Sequence, residues 1–303
     1  LKIADSVFGQ TVSGKWIDES QIIDYVEEDE LMIPDLSTLK KLPWNKEPTA
    51  QVICDLHYIS GAPSAVAPRQ VLKKIIQLLK DNDLRAVVAP ELEFYLCEKN
   101  LDPNIPLQTP VGKSGRRANG SDVFGIDSVN EFDVFLDDIY DYCETLDIGV
   151  DTLVHESGPS QIEINLNHGD PLKLADQTFM FKRAVRQVAL KHGIHATFMA
   201  KPHQGQPGSS MHIHQNLVSI KNGNNIFSDA NGKESEKFYN YIGGLQTYLP
   251  DAMVFFAPYV NSYRRFVIDA SAPINTHWGF ENRTVGLRVP LSSPESKRVE
   301  NRI

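Results

Sequence analysis

The pattern of apolar and polar residues changes character near residue 68. Residues 1–58 carry short alternating stretches, such as AQVICDLHY, that predict a small β-rich unit, with a proline-punctuated loop over 34–48. From Pro68 the apolar spacing is helical, and it places Val71, Ile75, Leu78 and Leu79 on one stripe. A larger domain is therefore expected to begin in this region.

Strands and helices interleave along the larger part without a regular βαβ rhythm. The pattern predicts helices over 130–146, 171–192 and 234–248, and a long loop over 100–120. It predicts strands over 85–96, 149–154, 161–167, 195–200 and 210–218. This arrangement favours an α+β fold with a largely antiparallel sheet.

Three of these strands carry metal-ligating residue types on one face. Glu91 and Glu93 are two residues apart in PELEFYL, as are His212 and His214 in MHIH, and Glu163 lies on the polar face of QIEINLN. Each strand alone is typical of a sheet with one solvated face. Together they indicate a polar cavity lined with metal ligands.

The donor types limit which metal such a cavity would take. Glutamates with one or two imidazoles and no thiolate favour Mg²⁺ or Mn²⁺ over a structural zinc. A zinc hydrolase that uses the two histidines is the chief rival, although it would normally have more imidazoles nearby. Glu156, seven residues before Glu163 across a Gly-Pro turn, is either at the cavity rim or an exposed loop acid.

Arginines are concentrated in the last quarter of the chain. Arginine suits bidentate recognition of phosphate and carboxylate, so a carboxylate cage beside an arginine cluster fits nucleotide-dependent phosphoryl transfer. There is no GxxxxGK[ST] segment, which argues against a P-loop enzyme. We expect Arg264 to pair with a surface acid. The cluster comprises Arg264, Arg265, Arg283, Arg288, Arg298 and Arg302.

Composition narrows the class of protein further. The 303 residues are 41% hydrophobic and 23% charged, and the formal net charge is -9, so general attraction to nucleic acid or anionic membranes is not expected. Apolar runs fall short of the roughly 20 residues that span a bilayer. Three dispersed cysteines without a CxxC pair, and no signal peptide at the start, lead us to expect a cytoplasmic protein.

Several segments resemble the motifs of the glutamine synthetase family, in the same order and spacing. They are PELEFYL, ESGPSQIE, PGSSMHIHQNL, NSYRRF, ENRTVGLRVP and RVENR, and the resemblance runs from about Phe8 to Ile303. Within the family, three segments resemble the γ-glutamylpolyamine (γ-glutamylputrescine) synthetase branch: LPWNKEPTAQVICDLH, FMFKRAVRQVALKHGIHATFMAKP and NSYRRF.

This resemblance implies a fold and a set of bound groups. Residues 1–62 would form a partial β-grasp domain, and 63–303 a glutamine synthetase-type catalytic domain with a curved, largely antiparallel sheet and flanking helices. The site would hold two or three Mg²⁺ or Mn²⁺ ions, with ATP as co-substrate. One ion would be held by Glu93, Glu156 and Glu163, and a second by Glu91, His212 and Glu300.

The resemblance also assigns the remaining site residues. Glutamate would bind at Gly208, Arg265 and Arg302, and Arg283 would stabilise the transferred phosphoryl group. The nucleotide side would include His214, Asn216, Arg288 and Arg298. Arg265 and Arg283 are therefore candidate catalytic residues.

Two departures from the family pattern concern the acceptor amine. The segment DASAP places Ser271 where glutamine synthetases carry a catalytic glutamate, and VFGQT near Phe8 lacks the second acid associated with ammonium. Asp269 is a candidate substitute acid. Pro207 and Ser210 also alter the glutamate loop. These departures favour a bulkier or less polar amine than ammonia.

The expected function is thus an ATP-dependent ligase that joins the glutamate γ-carboxylate to an amine through γ-glutamyl phosphate. A glutamine synthetase that uses ammonia and a non-catalytic structural relative are the alternatives. The family implies a homo-oligomer, a dodecamer of two hexameric rings, with active sites at subunit interfaces. Family members begin before Leu1 and continue past RVENR, so we expect the C-terminal part of the domain to be missing.

Overall fold

The computed structural model describes residues 1–11, 14–16, 28–268 and 272–303. The chain divides into two compact units, Leu1–Asp83 and Leu84–Ile303. The boundary between residues 62 and 63 that the family resemblance implies stays a prediction.

The described residues of the first unit include a three-stranded antiparallel sheet and an α-helix. Its elements are β1 (Lys2–Ala4), β2 (Asp29–Lys41), β3 (Ala50–Tyr58) and α1 (Pro68–Asp81), and the strands lie in the order β1-β2-β3. The prediction of a loop over 34–48 is wrong for its first half, because β2 continues to Lys41. The register between β2 and β3 shifts between Asp35 and Lys40, where Thr38 Oγ1 accepts a hydrogen bond from Ile53 N at 2.8 Å. A side chain thus replaces a backbone partner at the irregularity.

Helix α1 has the predicted amphipathic stripe, but the stripe is not buried. Val71, Ile75 and Leu78 are 46%, 51% and 52% exposed, whereas Gln70 is buried. On the buried side Arg69 bonds Asp35 at 2.6 Å and Asp55 at 2.5 Å. Polar contacts therefore attach this helix to its sheet.

The second unit contains an eight-stranded sheet flanked by helices. Its strands follow the order β5-β6-β4-β8-β11-β10-β9, with β7 paired to β4. All pairs are antiparallel except the parallel pair β9 and β10, so the predicted α+β class and largely antiparallel sheet are confirmed. The elements are β4 (Leu84–Cys97), α2 (Ile126–Asn130), α3 (Asp133–Leu146), β5 (Val150–His155), β6 (Gln161–Leu166), α4 (Pro171–Lys191), β7 (His195–Thr197), β8 (Ile213–Ser219), α5 (Glu236–Phe256), α6 (Val260–Tyr263), β9 (Trp278–Phe280), β10 (Leu287–Val289) and β11 (Val299–Asn301).

The helices and strands predicted for this unit agree with the observed ones to within a few residues, except at the end of α5. Helix α5 continues through Pro250 to Phe256, eight residues beyond its predicted end. Strand β8 begins at Ile213 rather than at residue 210. The backbone before it still follows β4, since Glu91 N donates to His212 O at 2.9 Å and Glu93 N to Ser210 O at 3.2 Å.

Strand β4 separates the core of this unit from its polar face. Leu92, Phe94 and Leu96 are at most 1% exposed, and α4 packs against this strand with Phe181 and Val185 buried. Because side chains alternate along a strand, Glu91 and Glu93 point to the opposite face. In the part of the chain that the structure describes, no helix combines the length and hydropathy needed to cross a membrane.

Candidate active site

Strand register brings the predicted site residues onto one face of the sheet. Glu93 on β4 lies opposite Glu163 on β6, and His214 on β8 lies opposite Glu300 on β11. Glu91 lies two residues before Glu93, so it shares the same face. Four strands that are distant in sequence therefore supply acids and imidazoles to one region.

His212 and His214 both form hydrogen bonds to Glu91. Its Oε2 accepts a hydrogen bond from His212 Nδ1 at 3.1 Å, and its Oε1 accepts one from His214 Nε2 at 2.7 Å. Burial alone would raise the pKa of Glu91, but the hydrogen bonds from these histidines outweigh it and hold that pKa well below its usual range. Arg298 Nε donates to His214 Nδ1 at 3.1 Å, which fixes the His214 proton on Nε2.

Glu163 belongs to a crowded group of acids. Burial, followed by the negative charges of Glu91, Glu93 and Glu156, raises the pKa of Glu163 to about 8. Burial and the charge of Glu93 also raise the pKa of Glu156, although the charge of Arg283 partly offsets them. Glu156 is therefore part of the polar cluster rather than an exposed loop acid. Such mutual repulsion is what a bound cation relieves.

Within the described part of the chain, two sets of side chains have the spacing of a metal site. Each set offers one nitrogen or oxygen atom per residue, and these atoms lie within 4.8 Å of one another. Both include Glu91 and a histidine, and neither contains a cysteine, so the donors suit a hard divalent cation. The assignment of ligands to two ions stays a prediction. The sets are Glu91, Glu163 and His212, and Glu91, His214 and Glu300.

Glu93 is the most fully hydrogen-bonded acid of the group. Its Oε2 accepts from Gln161 Nε2 at 3.1 Å and from Ser210 N at 3.0 Å. Its Oε1 accepts from the Ser210 hydroxyl. Gln161 Nε2 also donates to Gly208 O at 3.0 Å, so this acid is connected to the predicted glutamate loop.

Glu300 lies among arginines and is fully buried. Arg288 Nη1 donates to Glu300 Oε2 at 2.9 Å, and Arg302 Nη1 donates to Glu300 Oε1. His212 Nδ1 is 3.8 Å from the same Oε1. Arg288 Nη2 also donates to Glu281 Oε2 at 3.1 Å. The negative charge of Glu300 is thus compensated within the protein.

The predicted glutamate-binding residues lie together. Arg265 Nη2 donates to Arg302 O at 3.2 Å, and both arginines are buried. A Cβ at Gly208 would be 2.5 Å from Ala200 O and 2.8 Å from Arg265 Cγ. The backbone at this position therefore has no room for a side chain, which explains the glycine.

Three of the four predicted nucleotide residues line a cavity of about 1040 Å³. They are His214, Asn216 and Arg298. Asn216 Nδ2 donates to Lys297 O at 3.1 Å, while its buried Oδ1 has no hydrogen-bond partner among the described residues. Arg288, the fourth, is bonded to Glu300 and Glu281 instead.

Three predicted catalytic residues remain untested by these contacts. Asp269 and Ser271 lie outside the described residues, and Arg283 is exposed. Sequence reasoning missed the roles of Gln161 and Glu281. The signal for Gln161 was its place on the polar face of QIEINLN, but Glu281 has a positive φ of 50° in a turn, where strand periodicity gives no information.

Comparison with known proteins assigns the chain to a family. Residues 65–303 match the family described as glutamine synthetase, catalytic domain. The chain belongs to the glutamine synthetase family. The resemblance inferred from its motifs is therefore confirmed.

The relatives of this glutamine synthetase family member include ligases for different amines. It is 38% identical over 303 residues to gamma-glutamylputrescine synthetase PuuA of Escherichia coli (strain K12), covering 98% of this chain and 64% of that protein. It is 34% identical to glutamate–isopropylamine ligase of a Pseudomonas species, covering 100% and 66%. A glutamine synthetase of Methanocaldococcus jannaschii is 35% identical, covering 96% and 64%.

A solved structure described as "Apo GmaS without ligand" has a TM-score of 0.77 and 28% sequence identity, covering 99% of this chain and 65% of that one. The chain thus spans 64–66% of the length of these relatives.

Proposed function

We propose that this protein is an ATP-dependent ligase that joins the γ-carboxylate of glutamate to an amine. The observation that carries the proposal is the meeting of two oppositely charged groups on one sheet face. Glu91 and Glu163 suit divalent cations, and Arg288 and Arg302 lie across Glu300 from them. Cation and anion sites side by side are what phosphoryl transfer to a carboxylate requires.

The reaction would proceed in two steps. The glutamate γ-carboxylate attacks the γ-phosphorus of ATP, the bond to ADP breaks, and γ-glutamyl phosphate forms. The amine nitrogen then attacks the γ-carbonyl carbon, phosphate leaves with the electron pair of the C–O bond, and the nitrogen loses a proton. Phosphorylation thus replaces oxide, a poor leaving group, by phosphate.

Residues of this chain would hold the reactants in place. Bound Mg²⁺ or Mn²⁺ would supply charge neutralisation for the phosphates. We propose that Arg298 and His214 bind the nucleotide phosphates, consistent with their place in the cavity wall. Arg265 and Arg302 would bind glutamate, and Arg283 would stabilise the phosphoryl group in transfer.

We propose an organic amine, of the putrescine or polyamine class, as the acceptor. Support comes from the names of the PuuA and isopropylamine relatives and from Ser271, which replaces an acid of the ammonium site. Ammonia is the second candidate, favoured by the 35% identity to a glutamine synthetase.

Phosphate release with glutamate, ATP and a panel of amines tests both candidates. We expect turnover with putrescine, spermidine or isopropylamine to exceed turnover with ammonia. Turnover with ammonia alone would reject the organic amine, and no turnover with any acceptor would reject the ligase. The variant R265K should lose activity by at least 10-fold, whereas its neighbour R264K, altered at an exposed residue, should retain it.

We also propose a homo-oligomer of two hexameric rings, as the family implies. Light scattering on the purified protein would test it, since a monomer would reject this assembly. A cytoplasmic location stays a prediction.

A further inference from the structure

Hydrogen bonds occupy most of the acceptor capacity of Glu93. A carboxylate offers roughly four lone-pair positions, two on each oxygen. Oε2 accepts from both Gln161 Nε2 and Ser210 N, and Oε1 accepts from Ser210 Oγ. One position on Oε1 is therefore left for another ligand. Glu93 is only 9% exposed, so bulk water has little access to it.

The donors to Glu93 are themselves held in a fixed orientation. Gln161 Oε1 accepts a hydrogen bond from Gly158 N at 2.9 Å, so its NH₂ group must face Glu93 and Gly208. Gln161 is 1% exposed. One amide group therefore connects the Glu93 carboxylate to the backbone of the glutamate loop, residues 207–210.

Ser210 makes the second connection between this loop and Glu93. Its hydroxyl donates to Oε1 and its backbone NH to Oε2. Residues 208–214 resemble the glutamine synthetase motif GSGMHxH, which carries glycine where this chain has Ser210, and glycine would keep only the backbone bond. The hydroxyl contact is thus a feature that this chain adds to the common pattern.

We propose that Ser210 and Gln161 are positioning residues that direct the one remaining Oε1 lone pair of Glu93 toward a divalent cation. Ser210 belongs to the glutamate loop and Gln161 donates a hydrogen bond to it, so both residues couple cation binding to glutamate binding. This inference rests on the proposed function. Mutation of residues that orient a ligating carboxylate typically weakens metal binding by about 10- to 100-fold. Because coupling between two binding sites is reciprocal, glutamate should also affect cation binding.

Mn²⁺ binding to the chelator-treated protein tests the positioning role without turnover. Calorimetry and Mn²⁺ electron paramagnetic resonance would be compared for the parent, S210A, S210G and S210T. We expect S210A and S210G to bind Mn²⁺ about 10-fold more weakly. S210T keeps the hydroxyl and should stay within about 3-fold of the parent. Adding glutamate should tighten Mn²⁺ binding more in the parent than in S210A.

The same loop offers a matched control. Ser209 is 6% exposed and its hydroxyl has no hydrogen-bond partner among the described residues, so S209A removes a buried hydroxyl that does not contact Glu93. S209A should leave Mn²⁺ affinity unchanged.

Parent-like Mn²⁺ affinity in both S210A and S210G would overturn the inference. An equal loss in S209A, or no rescue by S210T, would overturn it as well. Should S210A fail to fold, S210G, which restores the glycine of the family motif, still decides the question. The two proposals can fail separately. If Mn²⁺ binding depends on Ser210 but the parent turns over no amine, the proposed function is contradicted and the positioning role is still supported.

Discussion

Buried negative charge is left partly uncompensated on one side of the site and is paired with arginines on the other. On one side, which we call the acidic wall, Glu91, Glu93, Glu156 and Glu163 crowd together, and burial with mutual repulsion raises the pKa of Glu163 to about 8. On the other side, Glu300 is fully buried yet bonded to two arginines. We call Glu300, Arg288 and Arg302 the arginine wall.

This difference indicates what each wall needs from outside the chain. The acidic wall has excess negative charge, so Glu163, with a pKa of about 8, is fully ionised at neutral pH only if cations bind. Glu300 of the arginine wall is already bonded to Arg288 and Arg302, so an incoming phosphate or carboxylate must share or replace these bonds. We therefore expect the first wall to respond to metal and the second to depend on its internal ion pairs.

The largest expected effect is the loss of the central acid of the arginine wall. E300Q keeps the shape of the side chain but leaves Arg288 and Arg302 without their buried countercharge. We expect a loss of about 3 kcal/mol in the free energy of unfolding. Urea titration would measure it, with the exposed E295Q as control. A loss below about 1 kcal/mol would show that Glu300 does not stabilise the wall.

Removing an acid from the acidic wall should raise, rather than lower, the free energy of unfolding of the metal-free protein. The folded pKa of Glu163, about 8, exceeds its ordinary value of 4.5, so the folded state holds this proton more tightly than the unfolded state. Stability that is present below pH 4.5 is lost as the pH rises toward 8.

The free energy of unfolding of the parent should thus fall by about 3 kcal/mol between pH 5 and 8 in the presence of a chelator, whereas that of E163Q should fall much less. Mn²⁺ should restore the parent at pH 8 but restore E163Q less. Thermal melting at both pH values measures this. Parallel pH profiles for parent and variant would contradict the repulsion.

The sequence predicted which residues form the two walls more fully than it predicted the contacts that these residues make. Period-two alternation placed Glu91 with Glu93 and His212 with His214, because a strand fixes faces regardless of neighbours. The family motifs then supplied Glu156 and Glu300, whose separation of 144 positions no local pattern can bridge.

Contacts that depend on rotamers and turns were beyond such reasoning. Nothing in the spacing indicates that Arg288 bonds Glu300 and Glu281 rather than facing the cavity. The same limit applies to the fold. The stripe of α1 was correct as a pattern, but periodicity does not show whether Val71, Ile75 and Leu78 are covered, and the structure leaves them about half exposed.

A smaller effect separates the two histidines that lie between the walls. Both bond Glu91 and each belongs to one of the two sets of possible metal ligands, but His214 is also bonded by Arg298 and lines the cavity. H212A should weaken Mn²⁺ binding by about 10-fold, or about 1.4 kcal/mol. H214A should mainly raise the KM for ATP. Calorimetry and initial rates measure these effects, and indistinguishable phenotypes would return the pair to equivalent roles.

The smallest expected effect tests whether burial or pairing determines the strength of the arginine wall. Arg288 has two carboxylate partners at similar distances, 2.9 Å to Glu300 and 3.1 Å to Glu281. The Glu281 side chain is 44% exposed, whereas that of Glu300 is 1% exposed. Water screens the outer pair, so E281Q should cost less than about 1 kcal/mol in the same urea titration. A cost equal to that of E300Q would mean that the number of partners, and not the burial of the charge, stabilises this wall.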